Sequence, residues 1–190
     1  MQQKINKKKI ITYLFLTLFF MFFFKSSIKA NYEKSFYDIS VKSIEGHSMN
    51  LNDFKGKVIL LVNVASYCGF TKQYSDLQYL WDNYKDIGLV VLGVPSQSFN
   101  QEKKSEKEVK DFCEVNFSIN FPMTSILKVK GKDAHDIYKW AKLSYGKSAI
   151  PKWNFHKILI NRNGKIIDTY ASFTNPKSKK IVSKIEKLLN

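Results

Sequence analysis

Two apolar runs, beginning about thirty residues apart, constrain this chain more than any other feature. "VILLVNVAS" (Val58 to Ser66) and "GLVVLGVP" (Gly88 to Pro95) carry almost no polar residue. A strand with one wet face alternates apolar and polar positions, so near-continuous runs of this length read as strands buried on both faces. Between them, "TKQYSDLQYLWDNYKD" sets Tyr74, Leu77, Leu80, Trp81 and Tyr84 at helical spacing. Strand, amphipathic helix, strand predicts a crossover unit with two parallel strands.

The remaining segments extend that unit. "EKEVKDFCEVNF" reads as a helix with Val109, Phe112, Cys113 and Asn116 on one face, and "HDIYKWAKL" as a short helix. "WNFHKILINRNGKIIDTYASF" reads as strand, Asn-Gly turn, strand. "TNPKSKKIVSKIEKLL" predicts a closing helix, capped by Thr174 or Asn175 with Pro176 in its first turn. Its buried face would hold Ile181, Val182, Ile185, Leu188 and Leu189. Upstream, residues 35–57 alternate around the turn signal "EGHS" and read as a hairpin. The expected class is therefore α/β, with the element order of a thioredoxin-like fold: a central mixed sheet flanked by helices, preceded by an N-terminal β-hairpin.

The first thirty residues are of another kind. "KINKKK" is a basic segment, Ile10 to Phe24 is an apolar run without a charge, and "KSSIKA" offers a cleavage point after Ala30. This is the layout of a secretory signal, and the run falls short of the roughly 20 residues a membrane-spanning helix needs. The expectation is a signal peptide or N-terminal membrane anchor over residues 1–30, the anchor lying in residues 10–24, and an exported domain, periplasmic or secreted, over 31–190. Removing residues 1–30 takes six lysines and no acid from a formal charge of +15, which leaves +9. The remaining lysines are spread out, and Arg162 is the only arginine. That pattern speaks against nucleic-acid binding and is compatible with attraction to an anionic membrane surface. His47, His135 and His156 show no metal-ligand spacing with either cysteine, so no metal or other cofactor is expected.

Cys68 and Cys113 are the only cysteines, too few for a disulfide-stapled scaffold. Cys68 stands where a buried strand gives way to a helix, and carboxyl ends of strands in α/β sheets are where ligands meet the protein. A thiol near a helix N-terminus also meets N–H groups that favour negative charge, and the thiolate is the reactive form. Packing as a small buried hydrophobe remains the competing reading. The position where C-x-x-C would place a second cysteine holds Thr71, in "CGFT". A single activated thiolate suits peroxide reduction through a sulfenic acid. Cys113 is then the one candidate to resolve it, against the simpler reading of a core cysteine.

At these residues the chain resembles the glutathione peroxidases. "NVASYCGFT" is similar to that family's signature around its cysteine or selenocysteine, and "KWNFHKILINRNGKI" to its second signature. "FCEVNFSINFPM" resembles the segment that carries the resolving cysteine in the non-selenium, thioredoxin-dependent branch, and residues 35–66 resemble the entry to the domain. The resemblance implies Cys68 as peroxidatic nucleophile, with Trp153 and Asn154 as hydrogen-bond donors near its sulfur. It implies Cys113 as resolving thiol, a hydroperoxide substrate, and a thioredoxin-like protein or glutathione as reductant. The short connection from Met123 to Lys152 implies a monomer. The family's remaining site residue, a glutamine, falls in "PSQSFNQE" (Pro95 to Glu102), which is one residue short. Counting from Pro95 puts Ser98 at its place, and Gln97, with the longer side chain, is the preferred candidate. Two other readings stand beside the peroxidase: a peroxide-driven oxidant of client thiols, and a thioredoxin-like binding module with an inert Cys68.

Overall fold

The computed structural model describes residues 35–190, and the expected leader over residues 1–30 lies outside them. Among the described residues, no helix is long and apolar enough to cross a membrane. The strands among the described residues are β1 (Val41–Lys42), β2 (Ser48–Met49), β3 (Val58–Val64), β4 (Leu89–Pro95), β5 (Lys157–Ile160) and β6 (Ile166–Tyr170). The α-helices are α1 (Gln73–Tyr84), α2 (Glu106–Phe117), α3 (Asp136–Tyr145) and α4 (Lys179–Leu189).

The two apolar runs become β3 and β4, paired in parallel as the crossover unit requires. β5 adds antiparallel to the free edge of β3, and β6 to β5, giving the sheet order β4-β3-β5-β6. β1 and β2 form the N-terminal hairpin as a separate two-stranded pair. Cores on both faces of β3 explain why every position but Asn63 is aliphatic. Leu60, Val62 and Val64 face one core with Tyr74, Leu77 and Leu80 of α1, Val109 and Cys113 of α2, and Ile181 and Ile185 of α4. Ile59 and Leu61 face a second core with Phe36, Ile137, Tyr138 and Trp140. Fully burying one such branched side chain stabilises the fold by roughly 1.5–3 kcal/mol. Gly93 lets the 122–124 segment lie against β4: its N–H donates to Pro122 at 3.0 Å and its carbonyl accepts from Thr124 at 2.9 Å. A Cβ at Gly93 would come within 3.0 Å of the Phe121 ring.

Two expected details shift. Asn116 is exposed rather than on the buried face of α2, and its amide donates to the Phe112 carbonyl at 2.8 Å. Phe117, one position on, packs on the core instead. The closing helix begins at Lys179 with Ser178 as its N-cap residue, later than the Thr174 or Asn175 start expected. The Asn175 side chain is committed elsewhere: it accepts from Lys177 N at 2.7 Å and donates to Asp76 at 2.7 Å, closing a turn that holds Pro176 outside the helix.

Candidate active site

Cys68 is buried in the turn that joins β3 to α1, within the α1–α2–α4 core. Thr71 N donates to its carbonyl at 3.1 Å, and further turns lead into α1 at Gln73. The turn separates the cysteine from the first helical residue. Among the described residues, no side-chain donor is hydrogen-bonded to the Cys68 sulfur, and both cysteines are free thiols.

Residues 101–103 organise the surroundings. Tyr67 N donates to the Gln101 carbonyl at 2.9 Å. Glu102 is buried, and its Oε1 accepts from Ser66 N at 2.9 Å, from Ser66 Oγ, and from Lys103 N at 2.8 Å. Burial holds this carboxyl above its usual range, with the Ser66 and Lys103 donors opposing the rise. Its second oxygen has no partner among the described residues. The Gln101 side chain accepts from Asn154 Nδ2 at 3.0 Å. One short segment thus ties the Cys68 loop to the Trp-Asn-Phe segment.

That second segment forms a turn before β5. Asn63, in β3, accepts from His156 N at 3.1 Å and donates to the Trp153 carbonyl at 3.2 Å, while its own carbonyl accepts from Phe155 N at 2.6 Å. Phe155 is held at φ 61°, a left-handed conformation uncommon for a bulky residue. Its ring is buried edge-on against Tyr74, with centroids 5.3 Å apart. The turn leaves Trp153 partly exposed against Phe99, centroids 5.2 Å apart, and buries Asn154 completely. Oδ1 of Asn154 and Nε2 of His156 lack partners among the described residues. Burial and the neighbouring Lys157 and Lys152 pull His156 down to about 4, so it is neutral at pH 7.

Tyr74 connects the two cysteines. It is fully buried, and its hydroxyl lies beside the Cys113 thiol without a hydrogen bond of good geometry to any described group. Burial first, then the charge that Cys113, Glu102 and Cys68 can carry, raises its pKa. Both thiols and this phenol belong to one buried core cluster. Burial pushes the Cys113 thiol up to about 12, with the Tyr74 hydroxyl opposing.

The glutamine expected at the sulfur is placed differently. The Gln97 amide donates to the carbonyls of Glu102 and Lys103, and Ser98 Oγ accepts from Val129 N at 3.0 Å. Neither is bonded to Cys68. With one residue fewer in "PSQSFNQE", Gln97 braces the 101–103 segment instead, and Gln101 is the glutamine that meets Asn154. The sequence reading passed over Gln101, Glu102 and Asn63. The Gln-Glu pair ending that segment was the available signal for the first two; Asn63, a polar residue inside an apolar strand, was its own.

A parallel pair with helical crossover, an antiparallel hairpin, and a lone thiol at the end of β3 define a thioredoxin-fold thiol protein. The family model for glutathione peroxidase matches residues 36–142, more than half of the chain. The glutathione peroxidase homolog BsaA of Bacillus subtilis is 45% identical over 148 residues, covering 75% of this chain and 92% of that protein. The glutathione peroxidase-like peroxiredoxin 2 of Saccharomyces cerevisiae is 41% identical over 149 residues, covering 76% and 91%. Among solved structures, the apo form of Trgpx superimposes with a TM-score of 0.65 at 37% identity, covering 83% of this chain and 97% of that one. The chain belongs to the glutathione peroxidase family. It is a peroxidase, an oxidoreductase that reduces peroxides.

Proposed function

We propose that Cys68 carries the reaction. Its thiolate attacks one oxygen of a hydroperoxide, the O–O bond breaks, and the other oxygen leaves as water or alcohol after taking up a proton. A sulfenic acid remains on Cys68. Trp153 and Asn154, the donors of the neighbouring turn, stabilise the charge that develops as the O–O bond breaks. Cys113 then attacks the Cys68 sulfur and displaces hydroxide, which with the Cys113 proton forms water, leaving a Cys68–Cys113 disulfide. A disulfide requires Cα atoms within about 7 Å, and an opening of α2 is the proposed motion that brings Cys113 within that reach.

The observation that supports the pairing is that Cys68, Tyr74 and Cys113 are buried together in one core cluster. An intramolecular Cys68–Cys113 disulfide is a substrate for thiol–disulfide exchange, so a thioredoxin-like protein restores the dithiol. The yeast relative, called a peroxiredoxin, fits that reading. The leader layout adds export, with an exported thioredoxin-like donor.

One equivalent of hydrogen peroxide, followed by intact mass and peptide mapping, tests this. A loss of two hydrogens, with Cys68 joined to Cys113, is the expected result. Added oxygen on Cys68 alone would return Cys113 to the core and make glutathione or another external thiol the reductant. An unchanged mass, under conditions that oxidise a control peroxidase, would overturn Cys68 as the nucleophile.

A further inference from the structure

Lys103 touches the residue before each cysteine. Its ammonium lies 4.7 Å from the ring centroid of Tyr67, next to Cys68, and 5.3 Å from that of Phe112, next to Cys113. It also donates to Tyr67 Oη at 3.0 Å. Ammonium over an aromatic face is attractive, and one cation shared between two rings holds them together. The contact is not an accident of a free surface chain, because the backbone of Lys103 is fixed too. Its N–H donates to Glu102 Oε1 at 2.8 Å and its carbonyl accepts from Gln97 Nε2 at 2.9 Å.

Phe112 in turn sits against Phe117, with centroids 5.7 Å apart, and Phe117 against Tyr74, at 5.2 Å. A row of rings thus runs from the exposed cation to the phenol beside Cys113. Tyr67 is mostly exposed and Phe112 is half-buried, so the cation closes the row at its solvent end. In the α2 opening proposed above, on which this inference also rests, Phe112 would part from Tyr67, and a cation shared by the two rings opposes that separation. The charges facing the ammonium are those of Glu102 and Glu108, both favourable to it.

We infer that Lys103 is a latch between the Cys68 loop and α2, a positioning residue that slows delivery of Cys113 and so sets how long the Cys68 sulfenic acid lasts. The inference rests on Cys113 being the resolving thiol. The latched step is Cys68–SOH plus Cys113–SH giving Cys68–S–S–Cys113 plus water, which needs no further oxidant or reductant. A slow closure leaves time for a second peroxide to carry the sulfenic acid to sulfinic acid, or for a client thiol to attack it.

The test uses the reduced protein, pulsed with hydrogen peroxide and quenched at intervals with dimedone, so that mass reports sulfenic acid and disulfide separately. Lys103→Met keeps the length and removes the charge. It is expected to close the disulfide about threefold to tenfold faster, the scale of one or two cation–ring contacts at an exposed site, and to accumulate less sulfinic acid. Lys103→Arg keeps the cation and is expected to close at the parent rate. Cys68 should lose its thiol to the peroxide pulse within about twofold of the parent in both variants. Closure in Lys103→Met that is unchanged or slower overturns the latch. A slower first step instead assigns the charge to Cys68 chemistry, which also overturns it. If the parent forms no Cys68–Cys113 disulfide at all, the resolving role of Cys113 itself fails, and that outcome is read from the parent alone.

Discussion

Burial pushes the Cys113 thiol up to about 12, so at pH 7 only about one molecule in 10⁵ would hold a thiolate there. A resolving thiol that reacted in its helical position would speed up with pH throughout the accessible range. One released by opening of α2 ionises as an ordinary thiol, near 8.5. The expected profile for disulfide closure therefore rises from pH 6 and levels near 8.5 to 9, measured by rapid quench and mass; a climb that continues past pH 10 would mean that Cys113 reacts without leaving the helix. Gln101 supplies a second residue-scale prediction. Gln101→Met removes the acceptor for Asn154 Nδ2 and keeps the bulk, so the peroxide rate constant should fall on the order of tenfold through misplacement of Asn154. The disulfide closure rate, which does not use Asn154, should hold, and equal losses in both steps would mark Gln101 as merely structural. Cys113, Trp153 and Asn154 stood out only through the resemblance of their segments to the glutathione peroxidase signatures; residue type and spacing alone favour a core cysteine, a core tryptophan and a turn asparagine. Gln101 did not stand out, since its role depends on a partner 53 positions away, and no local pattern encodes that pairing.

At the level of elements, β3 does two jobs with alternating residues: its aliphatic positions build both cores, and Asn63 fixes the turn ahead of β5. Asn63→Ala would leave His156 N without an acceptor and the Trp153 carbonyl without a donor. Each buried group left unpaired costs roughly 1–3 kcal/mol. The expected loss is on the order of 2–4 kcal/mol by urea unfolding, together with a weakened peroxidase as Trp153 and Asn154 lose their seat. A variant within about 0.5 kcal/mol of the parent would show that the Phe155 N bond to the Asn63 carbonyl, 2.6 Å long, suffices by itself. The strands and helices themselves were readable from periodicity, because burial on one or both faces dictates it. Their ends were not. Asn175 serves a tertiary bond to Asp76 rather than a helix cap, and Asn116 caps the Phe112 carbonyl instead of facing the core. In both cases a side-chain hydrogen bond displaced the simplest helical reading.

Across the whole molecule, the order of parallel pair, crossover, hairpin and closing helix carried the fold, whereas the surplus of lysines gave no hint that one of them sits inside. Lys157, in β5, is fully buried, and its ammonium donates to Gln73 Oε1 at 2.5 Å, Thr174 O at 2.7 Å and Ser172 O at 3.1 Å. It joins the sheet to the start of α1 and to the segment before α4. Burial draws it down to about 7, with Asp76 opposing. An unfolded lysine keeps its proton up to about 10.4. Between these values the unfolded chain holds the proton that the native protein has given up, so stability rises with pH by up to about 1.4 kcal/mol per unit from this group. Below pH 7 the group is charged in both states, and the desolvation cost is fully present. Above about 10.4 both states are neutral and the gain is complete. Lys157→Met removes this titration and leaves every other group in place, so the difference between parent and variant isolates it. Urea unfolding of both at pH 7, 8, 9 and 10 should show the parent gaining on the variant at each step. A difference that stays flat over that range would mean that the three oxygen acceptors hold the ammonium charged against its burial, with the native pKa close to that of a free lysine.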